Sequence, residues 1–286
     1  MKNKILGGIG LSLIAGICFG AAVPLAALSY TEGADVFGYM LVVRAILAIG
    51  MVAVCIYHRK NFLPQRGFLP LLLFTSGIFA AFSVLHYGAI AFMPVALVTM
   101  LIFLYPLFVS VLSIVFDRVW PGRIFYGATA MALLGLYMVL GPQWEAFNWL
   151  GAGMAVMAAI LIAAHLFING RILQNADAEI FGAQIMIVSL LFFTLLGAGF
   201  GAQWPHNAFG WQIIVLAGAI VLIGQLAFFR AIQAAGAVQV ALYIKIEPVA
   251  TLILAALLLG ENLTPVQIAG AGLVIAALVV NSLDKK

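Results

Sequence analysis

The chain has 286 residues, 66% of them hydrophobic and 8% charged, with a formal net charge of +4. Soluble domains average about 45–50% apolar and about 25% charged residues. A soluble globule of this size could not bury so much apolar surface, so the composition excludes one and makes lipid the solvent.

Ten apolar segments follow one another along the chain, at 5–28, 36–57, 68–90, 94–115, 123–141, 148–169, 180–201, 211–233, 236–258 and 264–282. Each is about 20 residues long, enough for a helix to cross a hydrocarbon core of about 30 Å. The expected fold class is all-α integral membrane, with ten transmembrane helices and no soluble domain between them. Lys2 and Lys4 ahead of the first segment imitate a secretory signal. The apolar stretch is too long for one and ends in no A-x-A pattern, so it reads as a retained helix. Cys18 and Cys55 fall within spans 1 and 2 and read as small buried hydrophobes.

Cytoplasmic loops keep an excess of lysine and arginine. With the N-terminus inside, the inner side holds Lys2, Lys4, Arg59, Lys60, Arg66, Arg118, Arg123, Arg171, Lys285 and Lys286, and the outer side holds none. Glu32, Asp35, Glu145 and Glu261 lie outside. Both termini are therefore expected in the cytoplasm, the chain being multi-pass in a bacterial inner membrane. Trp144, Trp149, Trp204 and Trp211 flank outer helix ends and Trp120 an inner one, as an aromatic belt requires. The same bias accounts for the positive net charge. With no phosphate loop, metal-ligand spacing or RNA-binding signature, the residues point to no nucleic-acid partner, no metal and no cofactor.

Sliding the second half against the first aligns His86-Tyr-Gly-Ala-Ile with Phe228-Phe-Arg-Ala-Ile, and Tyr105-Pro106 with Glu247-Pro248, at one offset (248 − 106 = 142). Two repeats, 1–141 and 142–286, would hold five helices each. An odd number makes them cross the membrane in opposite senses, the arrangement of inverted-repeat carriers. Pro106 and Pro248 sit near the middle of spans 4 and 9. Each deletes a backbone donor and clashes with the carbonyl four residues back. The Ile102 and Ile244 carbonyls are therefore expected to lose their helical partners, and Glu247 to be displaced.

An ionisable residue within a span is a functional candidate by default. Glu247 lies nearest mid-membrane; it would bind an amino group, carry a coupling proton, or cap donors freed by the break. Lys245, two residues earlier, would point about 200° away in an unbroken helix, so the two pair only if the proline distorts the turn. Otherwise one faces the cavity, Glu247 by preference, and Lys245 meets either a substrate carboxylate or an internal ion-pair partner. His86 and Tyr87 near the outer end of span 3 suit a polar solute or a proton relay, and equally an interhelical bond; His165 in span 6 raises the same alternatives. Arg44 and Arg230 read as structural, snorkelling or bonding helix ends. His58 and His206 are loop residues with no special role. Gln184, Gln225 and Gln239 could bond a zwitterion or join helices. Phe19, Tyr105 and Tyr243 would complete a mixed aromatic and polar cavity.

The stretch "LFVSVLSIVFDR" after Pro106, and above all "IEPVATLILAALLLGENLTPVQIAGAGLVIAALVV" from Ile246 to Val280, resemble the EamA repeats of the drug/metabolite transporter superfamily. Gly260-Glu261 and the spacing of Thr264, Gln267 and Gly270 fit that pattern; the first half departs from it, with Asp117-Arg118 at the turn. Arg44, Phe19-Gly20 and Phe229-Arg230-Ala231 also match family positions. The resemblance implies a ten-helix transporter whose central cavity is lined by helices 1 to 4 and 6 to 9. Helices 5 and 10 would be peripheral, packed through Gly127 with Gly135 and Gly270 with Gly272, within one chain or across a dimer. It implies export of small neutral or zwitterionic metabolites, amino acids first and aromatic ones among them, by alternating access. Proton coupling through Glu247 and facilitated diffusion both stay open, as does a monomer against a weak homodimer. Amines or drugs are the alternative cargo. No nucleophile with base, metal cluster or carboxylate pair supports an enzyme; a non-transporting scaffold or sensor is the reading from another class.

Overall fold

Backbone immersed in lipid must satisfy its own hydrogen bonds, and a single apolar stretch can do so only as a helix. The computed structural model describes residues 2–61, 69–90, 92–93, 95–141, 145, 147–259 and 263–282, and these are helical apart from turns and connections. The elements are α1 (Lys2–Thr31), α2 (Val36–Tyr57), α3 (Leu69–Ile90), α4 (Val95–Ile102), α5 (Tyr105–Leu112) with a π-helical turn (Ser113–Asp117), α6 (Arg123–Leu140), α7 (Trp149–Ile172), α8 (Ala178–Phe200), α9 (Ala208–Ala235), α10 (Ala237–Tyr243), α11 (Ile246–Leu259) and α12 (Pro265–Ser282). Nine stretches among the described residues are long and apolar enough to cross a bilayer, and α12 adds a shorter apolar helix. The fourth crossing is α4, α5 and the π turn together; the ninth is α10 with α11.

Polar residues between the apolar runs start the helices. Asp35 accepts the Gly38 N–H at 2.7 Å and caps α2, and Asp177 accepts those of Glu179 and Ile180 at 2.9 and 3.2 Å and caps α8. Such caps are worth about 0.5–2 kcal/mol each in soluble proteins. The two caps stand at one offset (177 − 35 = 142), and so do the capped N–H groups of Gly38 and Ile180 (180 − 38 = 142). Asn148 and Asn207 cap α7 and α9 in the same way. In the first half's turn, where Asp117-Arg118 replaces Gly-Glu, the π turn ends on Arg118 at φ 56, a left-handed conformation uncommon for a side chain with a Cβ. Gly260-Glu261 of the second half lies outside the described residues, as does Trp144.

α1 packs on α9 and α11, and α7 packs on α3 and α5. Exchanging the first five crossings for the last five converts one set into the other. The same exchange turns the contact of α2 with α9 into that of α8 with α3, and it leaves those of α2 with α8 and α6 with α12 unchanged. α6 and α12 pack chiefly on each other. A Cβ at Gly135 would lie 2.7 Å from the Gly270 carbonyl, and one at Gly270 would lie 2.6 Å from that of Gly135. Only glycine permits this approach, so the small-residue contact forms within one chain. Gly127 and Gly272 face open space and take no part, a correction to the expected pairs: each lies on a different face of its helix from the contact.

The start of α1 and the end of α12 lie at one end, here the terminal face, where Asn281 Nδ2 bonds Gln239 Oε1 at 3.0 Å and Gly8 packs on Ala235. Trp120 and Trp149 are exposed, while Trp204 and Trp211 stack at 6.0 Å at the opposite face.

Candidate functional site

Pro106 and Pro248 fall in the first turns of α5 and α11, where a missing N–H leaves no intrahelical bond unmade. Neither break is unwound. Leu104 (φ −73, ψ −12) and Ile244 (φ −66, ψ −12) stay near helical geometry. The turn tightens instead: Leu104 N–H bonds the Leu101 carbonyl at 3.2 Å and Leu107 that of Leu104 at 2.9 Å; Lys245 bonds Leu242 at 3.1 Å and Glu247 bonds Ile244 at 2.9 Å. Each donor reaches three residues back rather than four. The Ile244 carbonyl therefore keeps a partner, contrary to expectation. Among the carbonyls passed over by their regular donors are those of Phe103 and Ala241, because tightening draws Leu107 and Lys245 onto the next acceptor.

Those two carbonyls are met from across the molecule. Lys245 Nζ donates to the Phe103 carbonyl at 2.9 Å, and the Tyr105 hydroxyl donates to the Ala241 carbonyl at 3.0 Å. Lys245 is 2% exposed and Tyr105 7%. Each break is thus closed by a side chain of the other, and the fourth and ninth crossings are clipped together at their midpoints.

Glu247 occupies the repeat position of Tyr105 (247 − 105 = 142) and is half-buried. Among the described residues its carboxylate makes no hydrogen bond or ion pair, and it does not pair with Lys245. The tightened turn keeps the two side chains apart. α1 comes down on this turn: a Cβ at Gly20 would lie 2.5 Å from the Glu247 carbonyl, and Thr251 Oγ1 bonds the Gly20 carbonyl at 3.0 Å. Phe19 meets Phe228 of α9 edge to face at 6.0 Å, and Gln225 lies half-buried about one turn earlier on that helix.

The other candidates fall elsewhere. Gln239 and Tyr243 turn toward α12, where Asn281 bonds both, at 3.0 and 3.1 Å. His86 packs tilted against Phe82 at 5.5 Å, Phe82 against Phe79 at 5.7 Å, and Phe79 against His165 at 5.2 Å, one aromatic line along α3. Tyr87 lies on α3 with its side chain outside the described ones. His165 is closed into a buried triad: its Nδ1 lies 2.9 Å from the Thr75 carbonyl, Thr75 Oγ1 donates to Asn169 Oδ1 at 3.0 Å, and Asn169 Nδ2 lies 2.9 Å from His165 Nε2. That network assigns the proton to Nδ1. The Arg44 guanidinium stands over Phe79 and Phe193, 5.0 Å from each ring. Gln184 is buried in α8.

A cluster at the terminal face was not singled out from the sequence. Glu179, with a side chain 7% exposed, takes His58 Nδ1 at 2.6 Å, Lys60 Nζ at 2.9 Å and the Arg230 guanidinium; Asp177 takes Lys60 at 2.6 Å. Burial alone would raise the Asp177 carboxyl, but hydrogen bonds from Lys60 and from the Ile180 and Glu179 N–H groups hold it below its ordinary value. Burial pulls Lys60 down, and its bonds to Asp177 and Glu179 outweigh that and raise it. His58 and Glu179 are 121 residues apart, which hides the pair from local reading. Extending the offset of 142 beyond the prolines to Asp35 and Asp177 would have drawn attention to it.

Two clefts of about 450 and 440 Å³ open on the bundle. One is apolar, among Leu71, Phe74, Leu112 and Phe167; the other lies at the terminal face among Gln233, Gln239, Trp120 and Arg171. Neither is lined by Lys245 or Glu247.

Residues 149–283 match the model of the EamA-like transporter family. A solved crystal structure is similar over 96% of this chain and 98% of that chain, with a TM-score of 0.81 at 18% identity; that likeness is one of fold. No curated protein matches the chain.

Proposed function

We propose, for a chain that belongs through residues 149–283 to the EamA-like transporter family, that it is a carrier exporting small neutral or zwitterionic metabolites, amino acids first, across a bacterial inner membrane. The family is one of membrane transporters. Transport would proceed by alternating access, the halves 1–141 and 142–286 rocking about the clipped breaks, with the terminal face toward the cytoplasm. The observation that carries this is Glu247: a half-buried carboxylate beside a mid-membrane break, with no ion pair or hydrogen bond among the described residues. Lipid does not tolerate such a group without a use or a partner. A solute's amino group or a coupling proton supplies one. The exchange of contacts between halves and the recurring offset of 142 support two repeats of opposite sense, the arrangement of carriers that bind at the midplane.

The test is counterflow in proteoliposomes with labelled amino acids, amines and nucleosides. Uptake of an amino acid against none of the others is the expected result. Movement of amines alone would change the cargo class, and failure to move any of the panel by protein that retains its helical content would overturn the carrier reading.

A further inference from the structure

α2 and α8 run antiparallel and touch at both ends. At the opposite face Phe37 and Phe200 stack, centroids 5.4 Å apart and planes 7° from parallel. At the terminal face the same two repeat positions hold Glu179 and His58 (179 − 37 = 142; 200 − 58 = 142), 2.6 Å apart. One geometry is thus built twice, as a ring stack at one face and as a charged contact at the other.

The charged end is held by more than this pair. Lys60, in the connection after α2, and Arg230, on α9, both reach Glu179, and Lys60 is also held by Asp177. The position equivalent to Arg230 is Gly88 (230 − 142 = 88), so no such cation exists at the opposite face. If α2, α8 or α9 parts from the others at the terminal face, a nearly buried carboxylate loses a cation. Leaving a buried charge uncompensated is far costlier than separating two rings that lipid or water can re-cover.

We infer that Glu179 is the gating residue of the terminal face, a charged latch that must release before the ends of α2, α8 and α9 can part. The opposite face closes through the Phe37–Phe200 stack and through neutral donors to two carboxylates, the Gln203 N–H to Asp35 at 3.0 Å and the Asn207 amide to Glu32 at 2.5 Å, with no ion pair among the described residues. Both contacts are made in this structure, so the α2–α8 pair is closed at both ends. The two faces open by different chemistry, and the terminal-face opening is the step that Glu179 controls. This deepens the alternating-access reading and rests on it, but not on the identity of the cargo.

Cys55 is a built-in reporter. It is fully buried beneath the latch, and its carbonyl accepts the Lys60 N–H at 2.8 Å. In a Cys18→Ser background reconstituted in liposomes of both orientations, a membrane-impermeant maleimide is presented to each face in turn. Glu179→Gln should speed Cys55 labelling from the terminal face at least fivefold and leave labelling from the opposite face unchanged. The double variant His58→Phe with Glu179→Phe, which rebuilds the ring stack at the charged end, should return labelling to the parental rate. Arg230→Gln, which removes one cation and keeps the carboxylate, should fall between. Parental labelling in Glu179→Gln, or labelling that rises equally from both faces, would overturn the latch. Labelling needs no solute, so the two failures are distinguishable: an unresponsive Cys55 beside active counterflow would overturn the latch and leave the carrier reading standing, whereas a silent panel from folded protein would overturn the carrier reading and the latch with it.

Discussion

Lys245 donates its ammonium to the carbonyl of Phe103, the residue at its own position in the other half of the chain (245 − 103 = 142), at 2.9 Å. Tyr105 returns the contact to Ala241 at 3.0 Å. Each tightened turn supplies a side chain that closes a carbonyl of the other. The clip ties the fourth crossing to the ninth, so motion in one half is felt in the other.

Lys245→Met tests that coupling. The Phe103 carbonyl loses its donor, at about 1–3 kcal/mol, while a buried ammonium with a single described acceptor disappears, and removing a poorly compensated buried charge recovers energy of similar size. Stability should therefore stay within about 2 kcal/mol of the parent, and counterflow should fall at least tenfold. Thermal unfolding in lipid nanodiscs and counterflow on the same preparation check both halves. A large stability loss with proportionate flux would make Lys245 a structural clip alone.

Tyr105→Phe removes the reciprocal bond at nearly constant shape and should cost about 1–2 kcal/mol. Because each side chain closes the other's break, Tyr105→Phe and Lys245→Met should couple by about 0.5–3 kcal/mol in a double-mutant cycle. Additive effects would show that the two breaks are independent.

The spans, the paired prolines and the charged ninth crossing are all legible from the sequence, because lipid forces helices and penalises every intramembrane charge. The shape of the breaks is not. Proline was expected to free the carbonyl four residues back; a turn that tightens by one residue satisfies Ile244 and deprives Ala241 instead. The partners of Lys245 and Tyr105 lie 142 and 136 residues away, beyond any local pattern. His58 read as a plain loop residue for the same reason. Gln239 and Tyr243 carry no mark in the sequence that turns them toward Asn281.

The pH dependence of the terminal face follows from Lys60 and Asp177. The folded carboxyl lies below its ordinary 3.8, so its stabilisation is present above that value and lost as pH falls through the lowered folded value. The folded ammonium lies above its ordinary 10.5, so its stabilisation is present below that value and lost as pH rises through the raised one. Between these limits the pair should give a flat profile. Asp177→Asn keeps an oxygen for the cap and removes the charge. With both side chains partly exposed, the loss near neutrality should be at most about 1 kcal/mol, and the loss on the acid side should shrink. Unfolding midpoints from pH 3 to 8, compared between parent and variant, read both.

Gly20 permits α1 to lie on the first turn of α11. A Cβ there would sit 2.5 Å from the Glu247 carbonyl, which is backbone and cannot swing aside. Gly20→Ala should cost about 1–3 kcal/mol by overpacking and lower flux by moving the turn that carries Glu247. Gly10→Ala on the same helix meets nothing within 4 Å, so it should leave the unfolding midpoint unchanged or slightly raised. Equal effects at the two positions would remove the close approach as the reason for glycine.

Glu247→Gln separates the uses open to an unpaired carboxylate. The amide keeps the shape and cannot release a proton. If Glu247 carries the coupling proton, uptake driven by a proton gradient should fall at least tenfold, while exchange of labelled for unlabelled solute, which moves no net proton, should persist. If it binds a solute's amino group, exchange falls as well, because that contact is made in both directions of transport. Since Glu247 alone of the break residues has no described partner to lose, its replacement should leave the unfolding midpoint nearly unchanged. The expected outcome is loss of gradient-driven uptake with exchange retained. Unaltered gradient-driven uptake would remove Glu247 from the transport step and return it to the loosened backbone beside Pro248.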